Sequence, residues 1–381
     1  MANRIGRAFE QTIFAVKETT KGVPAYPSAA SEMIVGAGFG EINQQPTFTD
    51  SENIVKSLDV LERFQDMVGA GSWSIPVYAT PSGSAGTAPM GAVLFESLQG
   101  VETIVGATSV TYSQAVTKPS FTLWMKRAHT LFFAWGATAG SCGVSATNKG
   151  GALLQFSGGF MKMGWAGSSL VSGAVTADPV VTVATGQGKF FTAGARVSLG
   201  SDNNTNAGYE VESVSGDDVT MAEAVTVADG EVIEGFLPVF TPVGAPLPNK
   251  ETVITIDAIA TKVKSIDMTI GSPVVYLENE ITPEGYPTDY IEDRRDISGT
   301  LNLVFRSFDV GYFEAGYDGT IRNDVLITIG DVPGSIFKIN AATTQLEVPA
   351  VSVDGPATAL AMGLKALGSG AGENSITFAF E

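Results

Sequence analysis

From Gly71 to Tyr78 the chain reads GSWSIPVY, placing Trp73, Ile75 and Val77 on one side and Ser72 and Ser74 on the other. A period of two is the mark of a strand with one buried face. Strand-forming stretches recur in SFTLWMKR, HTLFFAWGAT and ALLQFSGGFMKMGWAG. They return late in the chain in TVITIDAIATKVKSIDMTI, where Ile266, Met268 and Ile270 share a face, and in TLNLVF, DVLITIGDVPGSIFKINAATTQLEVP and ENSITFAF. Helical spacing is rare. APMGAVLFESLQG sets Val93, Leu94 and Leu98 on one side and stops at Gly100, a residue suited to ending a helix. SFDVGYFEAGYDG is a second short helical segment, closing at Gly319. The pattern predicts a mainly β chain with two short helices.

The order of these elements is repeated. A strand, a long polar connection, a Gly-led strand, a short helix and several strands occupy the first part, and the same series follows residue 246. LERFQDMVGAGSWSIPVY and IEDRRDISGTLNLVF share a cadence: Glu62, Asp66 and Gly69 match Glu292, Asp296 and Gly299, which sets Trp73 and Ile75 against Leu303 and Phe305. Matched order over a whole domain argues for duplication. Between the copies, residues 175–240 hold five or six short strands separated by Gly, Asn and Asp turns. A segment of that size is enough for a small independent β barrel. The resulting division is 1–174 for a first domain, 175–240 for an inserted barrel, 241–250 for a Pro-rich linker (TPVGAPLPNK) and 251–381 for a second domain.

Composition narrows the chemistry. The chain has 381 residues, 44% of them hydrophobic and only 16% charged, with 44 glycines, as turn-rich β proteins do. Its 40 Asp+Glu against 22 Lys+Arg leave a net charge of −18, a surface that repels nucleic acid. One cysteine, Cys142, excludes an internal disulfide. The N-terminal segment has no signal-peptide pattern, and no apolar run reaches the ~18 residues of a membrane span. These features point to a protein made in a cytoplasm, away from membranes. His129 is the single histidine, so a histidine-based metal centre is excluded and no catalytic constellation stands out. GSDNNTNAG lacks the spacing of a calcium loop, and GAGFG and GSGAG lack the context of a dinucleotide loop. Glu62 with Asp66, or Glu292 with Asp296, has the composition of a glycosidase carboxylate pair, but the neighbouring Arg63, Arg294 and Arg295 favour a salt-bridge network. The expectation is a protein that is not an enzyme and carries neither cofactor nor metal.

Several stretches resemble one family. They are Glu18-Thr19 and Gly22-Val23-Pro24-Ala25 in VKETTKGVPAYPSA, the strand–loop–strand–helix order at 41–100, SIDMTIGSPVVYLEN with LNLVFR, and the mid-chain β module. Together they resemble the major tail tube protein of long-tailed, non-contractile bacteriophages. The resemblance implies two β sandwiches, each with a short flanking helix, plus the inserted barrel on the outside. It implies a virion tail protein, assembled in the host cytoplasm, that forms stacked rings of itself: trimers with pseudo-sixfold symmetry, or alternatively hexamers. Tape measure, tail terminator and baseplate proteins would be partners, and DNA would pass through an acidic channel without specific binding.

Carried onto this sequence, the resemblance makes Asp59, Glu62, Arg63, Asp66, Glu292, Asp293, Arg294, Arg295 and Asp296 candidates for contact between rings, on long loops at 46–66 and 279–297. Ser72, Ser74 and Asn302 would face the channel. Trp73, Ile75, Leu303 and Phe305 would pack beneath the helices. Two other readings compete: a virion-decorating or receptor-binding β-module protein, and an enzyme acting on polysaccharide through the carboxylate pairs.

Overall fold

The alternating stretches form strands, and strand pairing carries the architecture. The structure, a computed structural model, describes residues 10–52, 62–147, 149–278, 285–368 and 374–381. The N-terminal part opens with β1 (Gln11–Lys17), β2 (Met33–Ile34), β3 (Glu41–Asn43), β4 (Pro46–Asp50), β5 (Arg63–Val68) and β6 (Gly71–Tyr78). Helix α1 (Ala92–Gln99) follows, then β7 (Gly100–Val105), β8 (Ser109–Gln114), β9 (Phe121–Arg127), β10 (Thr130–Thr147), β11 (Leu153–Phe160) and β12 (Lys162–Ala166). The middle part comprises β13 (Ser168–Leu170), β14 (Val175–Thr182), β15 (Arg196–Leu199), β16 (Tyr209–Ser215), β17 (Asp218–Val227) and β18 (Val232–Gly235). The C-terminal part begins with β19 (Thr252–Ile256), β20 (Ile259–Thr261), β21 (Val263–Gly271), β22 (Val274–Tyr276), β23 (Tyr290–Glu292) and β24 (Asp296–Val304). Helix α2 (Gly311–Tyr317) precedes β25 (Asn323–Ile329), β26 (Phe337–Leu346), β27 (Ala350–Asp354), β28 (Ala357–Ala366) and β29 (Thr377–Phe380). The fold is mainly β, with two α-helices among the described residues.

The two ends of the chain pair their strands in the same order. β1 lies on β9, β9 on β10 and β10 on β12; β19 lies on β25, β25 on β26 and β26 on β29. β3 lies on β6, β6 on β11 and β11 on β10, just as β21 lies on β24, β24 on β28 and β28 on β26 and β27. Even the irregularities agree. β10 slips register between Ala134 and Ala137, opposite Leu123 and Phe121; β26 does so between Ala341 and Thr344, opposite Val325 and Asn323. β10 bends there from one sheet into the next. Gly158, on the facing strand, permits the bend, because a Cβ at that position would lie 1.9 Å from the carbonyl oxygen of Thr138.

One contact joins the two ends into a single sheet. The last residues of β10 pair with β21, Val144 opposite Met268 and Cys142 opposite Ile270. The result is an antiparallel run of eight strands, β3-β6-β11-β10-β21-β24-β28-β27. Its inner-facing side chains, among them Trp73, Ile75, Phe156, Val144, Met268, Leu301 and Met362, belong to one buried cluster with Leu94, Phe95 and Leu98 of α1. Burying each such side chain contributes about 1.5–3 kcal/mol, so the shared cluster binds the two ends strongly. The hairpin β7–β8 adds a second bond between them, since β8 pairs with the C-terminal β29.

The middle strands form a six-stranded sheet, in the order β13-β18-β15-β16-β17-β14, and a bridge between Val171 and Val183 brings the ends of its outer strands together. It starts at Ser168, ahead of the boundary expected at 175. Its apolar interior is continuous with Phe14, Trp124 and Phe133 of β1, β9 and β10, so it shares a core with the N-terminal part. His129 adds a polar tie, its Nδ1 lying 3.3 Å from Glu234 Oε2 on β18.

Three sequence expectations change. The stretch 46–66, read as a loop, contains β4 and the first residues of β5, which pair with each other. The stretch 279–297, also read as a loop, contains β23, which pairs with β22 ahead of it, and the start of β24. The second helix is capped by Asp318, whose N–H donates to Glu314 O, one residue before the expected Gly319. Phe305 does not pack beneath a helix: it lies beyond the end of β24 and is 36% exposed, whereas Trp73, Ile75 and Leu303 are buried.

The cause is a register slip. Leu154 sits between Val144 and Val77, and Leu360 sits between Val351 and Leu303. Val77, not Trp73, is therefore the counterpart of Leu303. A slip of four residues preserves the in–out alternation of a strand, so the period alone does not reveal it.

Candidate assembly interface

The eight-stranded sheet has one apolar and one polar face. Along the polar face, hydrogen bonds cross from strand to strand: Gln155 Nε2 donates to Ser74 Oγ at 2.6 Å and Ser145 Oγ to Asp267 Oδ1 at 2.8 Å. Ser141 Oγ lies 2.8 Å from Ser157 Oγ, and Asn302 Nδ2 donates to Ser265 Oγ at 2.9 Å. Ser72, Ser74 and Asn302 all lie on this side, away from the buried Trp73, Ile75 and Leu303. A broad open depression runs across it, lined by Ser145, Gln155, Asp267, Thr300 and Lys365 from five strands. Small side chains line most of this surface, and Asp296 is paired with Lys365.

The seam between β10 and β21 is strapped by the β22–β23 hairpin. Tyr290, on β23, is 3% exposed and donates its hydroxyl to Lys118 O at 3.0 Å. Tyr276, on β22, donates to Gly136 O at 3.1 Å and meets Thr138 Oγ1 at 3.0 Å. Glu292 Oε1 accepts the Lys118 backbone N–H at 3.1 Å, and Arg295 donates to Ser272 Oγ at 3.2 Å and to Ala115 O. Lys118 is itself buried at the seam, its ammonium donating to Ala139 O and Ser272 O. Burial, reinforced by the Arg295 charge and opposed by Glu292, lowers its pKa to about 8.

The carboxylate and guanidinium candidates therefore divide. Glu292 and Arg295 are engaged across the seam inside the chain. Asp293 accepts from the Arg294 N–H at 2.6 Å, a local turn contact. On the other hairpin Arg63 Nε meets Asp50 Oδ1 at 2.8 Å and its guanidinium lies over Phe48, while Asp66 accepts from Thr49 Oγ1 at 2.7 Å. Glu62 is exposed at the start of β5, and Asp59 lies outside the described residues. No spacing in the sequence singles out Lys118, Tyr276 or Tyr290, because their partners are far away along the chain.

The ends of the sheet differ from its middle. β27 carries five exposed residues and, among the described residues, has a partner on one side only, β28; Val351 is 60% exposed and Val353 84%. At the opposite end β3 pairs, among the described residues, only with β6, and its end residues Glu41 and Asn43 are exposed. The β4–β5 hairpin beside it holds out Phe48 and Phe64, the latter 55% exposed. Unpaired edges with apolar side chains invite another strand.

Among the described residues, no group of three or more His, Cys, Asp or Glu side chains is placed to hold a metal ion, and no helix is long and apolar enough to cross a membrane. Compared with known families and characterised proteins, the chain matches no family model and no relative in sequence.

Proposed function

We propose that the chain is a structural subunit that assembles with copies of itself into stacked rings, walling a hollow tube of the kind made by the tail tube proteins it resembles. The two matching strand ladders are read as two copies of one β sandwich, each flanked by a short helix, and the middle sheet as a small barrel on the outer side. Duplication lets three chains make a ring of pseudo-sixfold symmetry. The polar face, with Ser72, Ser74 and Asn302, lines the channel. Net negative charge keeps DNA from adhering as a genome passes into the host.

One observation carries this reading: a single sheet of eight strands runs through both copies, with one face buried, the other polar, and both outer edges unpaired among the described residues. A sheet that continues smoothly across its own internal repeat is built to continue across the next one. Electron microscopy of the purified protein at high concentration tests the proposal. Tubes of uniform bore with threefold or sixfold rotational order are expected; discrete particles would instead favour a decorating or receptor-binding role.

A further inference from the structure

The seam inside the chain provides a template for a seam between chains. Aligned through the triplets Val144–Leu154–Val77 and Val351–Leu360–Leu303, Trp73 is the counterpart of Gly299. Gly299 faces Met268 on β21, and Trp73 faces Ile42 on β3, so Ile42 is the counterpart of Met268. At the internal seam Val144 is opposite Met268 and Ser145 is opposite Asp267. We infer that β27 of one copy pairs antiparallel with β3 of a second copy, with Ile42 opposite Val351 and Glu41 opposite Ser352. This deepens the ring reading and rests on it.

The side chains fit that register. Val144–Met268, an apolar pair, becomes Val351–Ile42. Ser145–Asp267, joined by a hydrogen bond, becomes Ser352–Glu41, again a hydroxyl beside a carboxylate. Burial shows what is missing: Val144 is 2% exposed, its counterpart Val351 60%. The strap repeats as well. Tyr290 stands seven residues before Ile297 and Phe64 seven before Gly71, its counterpart at the start of the buried face. Tyr290 is buried over the internal seam and Phe64 is 55% exposed, so Phe64 is the residue that would close over the seam between chains. A copy of this same chain is the occupant because it alone offers the complementary edge in this register.

Paired cysteines test it. Ile42 and Val351 lie on the outermost strands of the sheet, six strands apart, so a disulfide between them must join two chains. The natural Cys142 is buried and stays out of the reaction. Under oxidation, the double variant Ile42→Cys/Val351→Cys is expected to form covalent dimers and higher multiples on a denaturing gel, at roughly tenfold or greater yield over either single variant, because a disulfide tolerates only a narrow Cβ separation. Ile42→Cys/Val353→Cys, displaced by two residues or about 7 Å, should not crosslink efficiently. Phe64→Ala should lower the crosslinked yield while leaving the far-ultraviolet dichroism of the chain unchanged. If tubes assemble but the shifted pair crosslinks as well as the first, or neither pair does, the register is wrong and the ring reading survives. If light scattering finds only monomer at every concentration, both are overturned.

Discussion

Glu18 is 6% exposed, and its carboxylate accepts from four donors: Gly22 N at 2.8 Å, Ser120 Oγ at 2.6 Å, Thr122 Oγ1 at 2.9 Å and Gly136 N at 2.8 Å. The ETTKG stretch is thus a knot tying the end of β1 to the start of β9 and to the bend of β10. Glu18→Ala leaves these donors without their acceptor and should cost at least about 2 kcal/mol, read as a lowered urea midpoint. Lys118 behaves differently, because its burial opposes its charge. Its pKa falls from the ordinary 10.5 to about 8, so between those values the unfolded chain binds more protons than the folded one. This group therefore makes stability rise with pH above about 8. Cys142 works the other way above its ordinary value, since burial pushes its thiol up, and Tyr209, pushed to about 12, does so at still higher pH. Comparing Lys118→Met with the natural chain isolates the lysine. From about pH 8 to about pH 9.5 the variant should lose the upward contribution that wild type shows.

At the level of elements, the strongest constraint is the bend in β10, which carries that strand from one sheet to the other. Gly158→Ala would drive a methyl group into the Thr138 carbonyl. It should destabilise the chain by about 1–3 kcal/mol, measured as a lower melting temperature. Strands with a buried face were readable from alternation: β6, β21 and β24 bury Trp73, Ile266 and Leu301 as their period requires. The β4–β5 hairpin and β23 were not, since they have few buried positions and read as polar connections. β7–β8 carry a signal, Val101 to Ile104 and Val110 to Tyr112 flanking a tight turn directly after the helix.

For the whole molecule, shared cores matter more than boundaries. The middle sheet packs on Phe14, Trp124 and Phe133, so removing residues 168–235 would expose those rings. Such a deletion is expected to lower solubility and melting temperature together, where a truly separate module would leave the remainder unchanged. The β10–β21 seam likewise predicts one cooperative transition for the two ends of the chain. Cys142, buried in that seam, should react with a thiol reagent only as the whole sheet opens, with labelling and loss of β-sheet dichroism sharing one denaturant midpoint.

The sequence by itself determined which positions are buried within most strands, that helices are few, and that one order of elements occurs twice. These are local properties, set by the period of two and by turn residues. Tertiary structure alone decided that Val77 rather than Trp73 answers Leu303, that Phe305 overshoots its strand, and that Glu292 and Arg295 face a seam within the chain. Each depends on which residue stands opposite which across a ladder. A strand shifted by an even number of residues keeps the same buried face, so only long-range backbone pairing distinguishes one register from another.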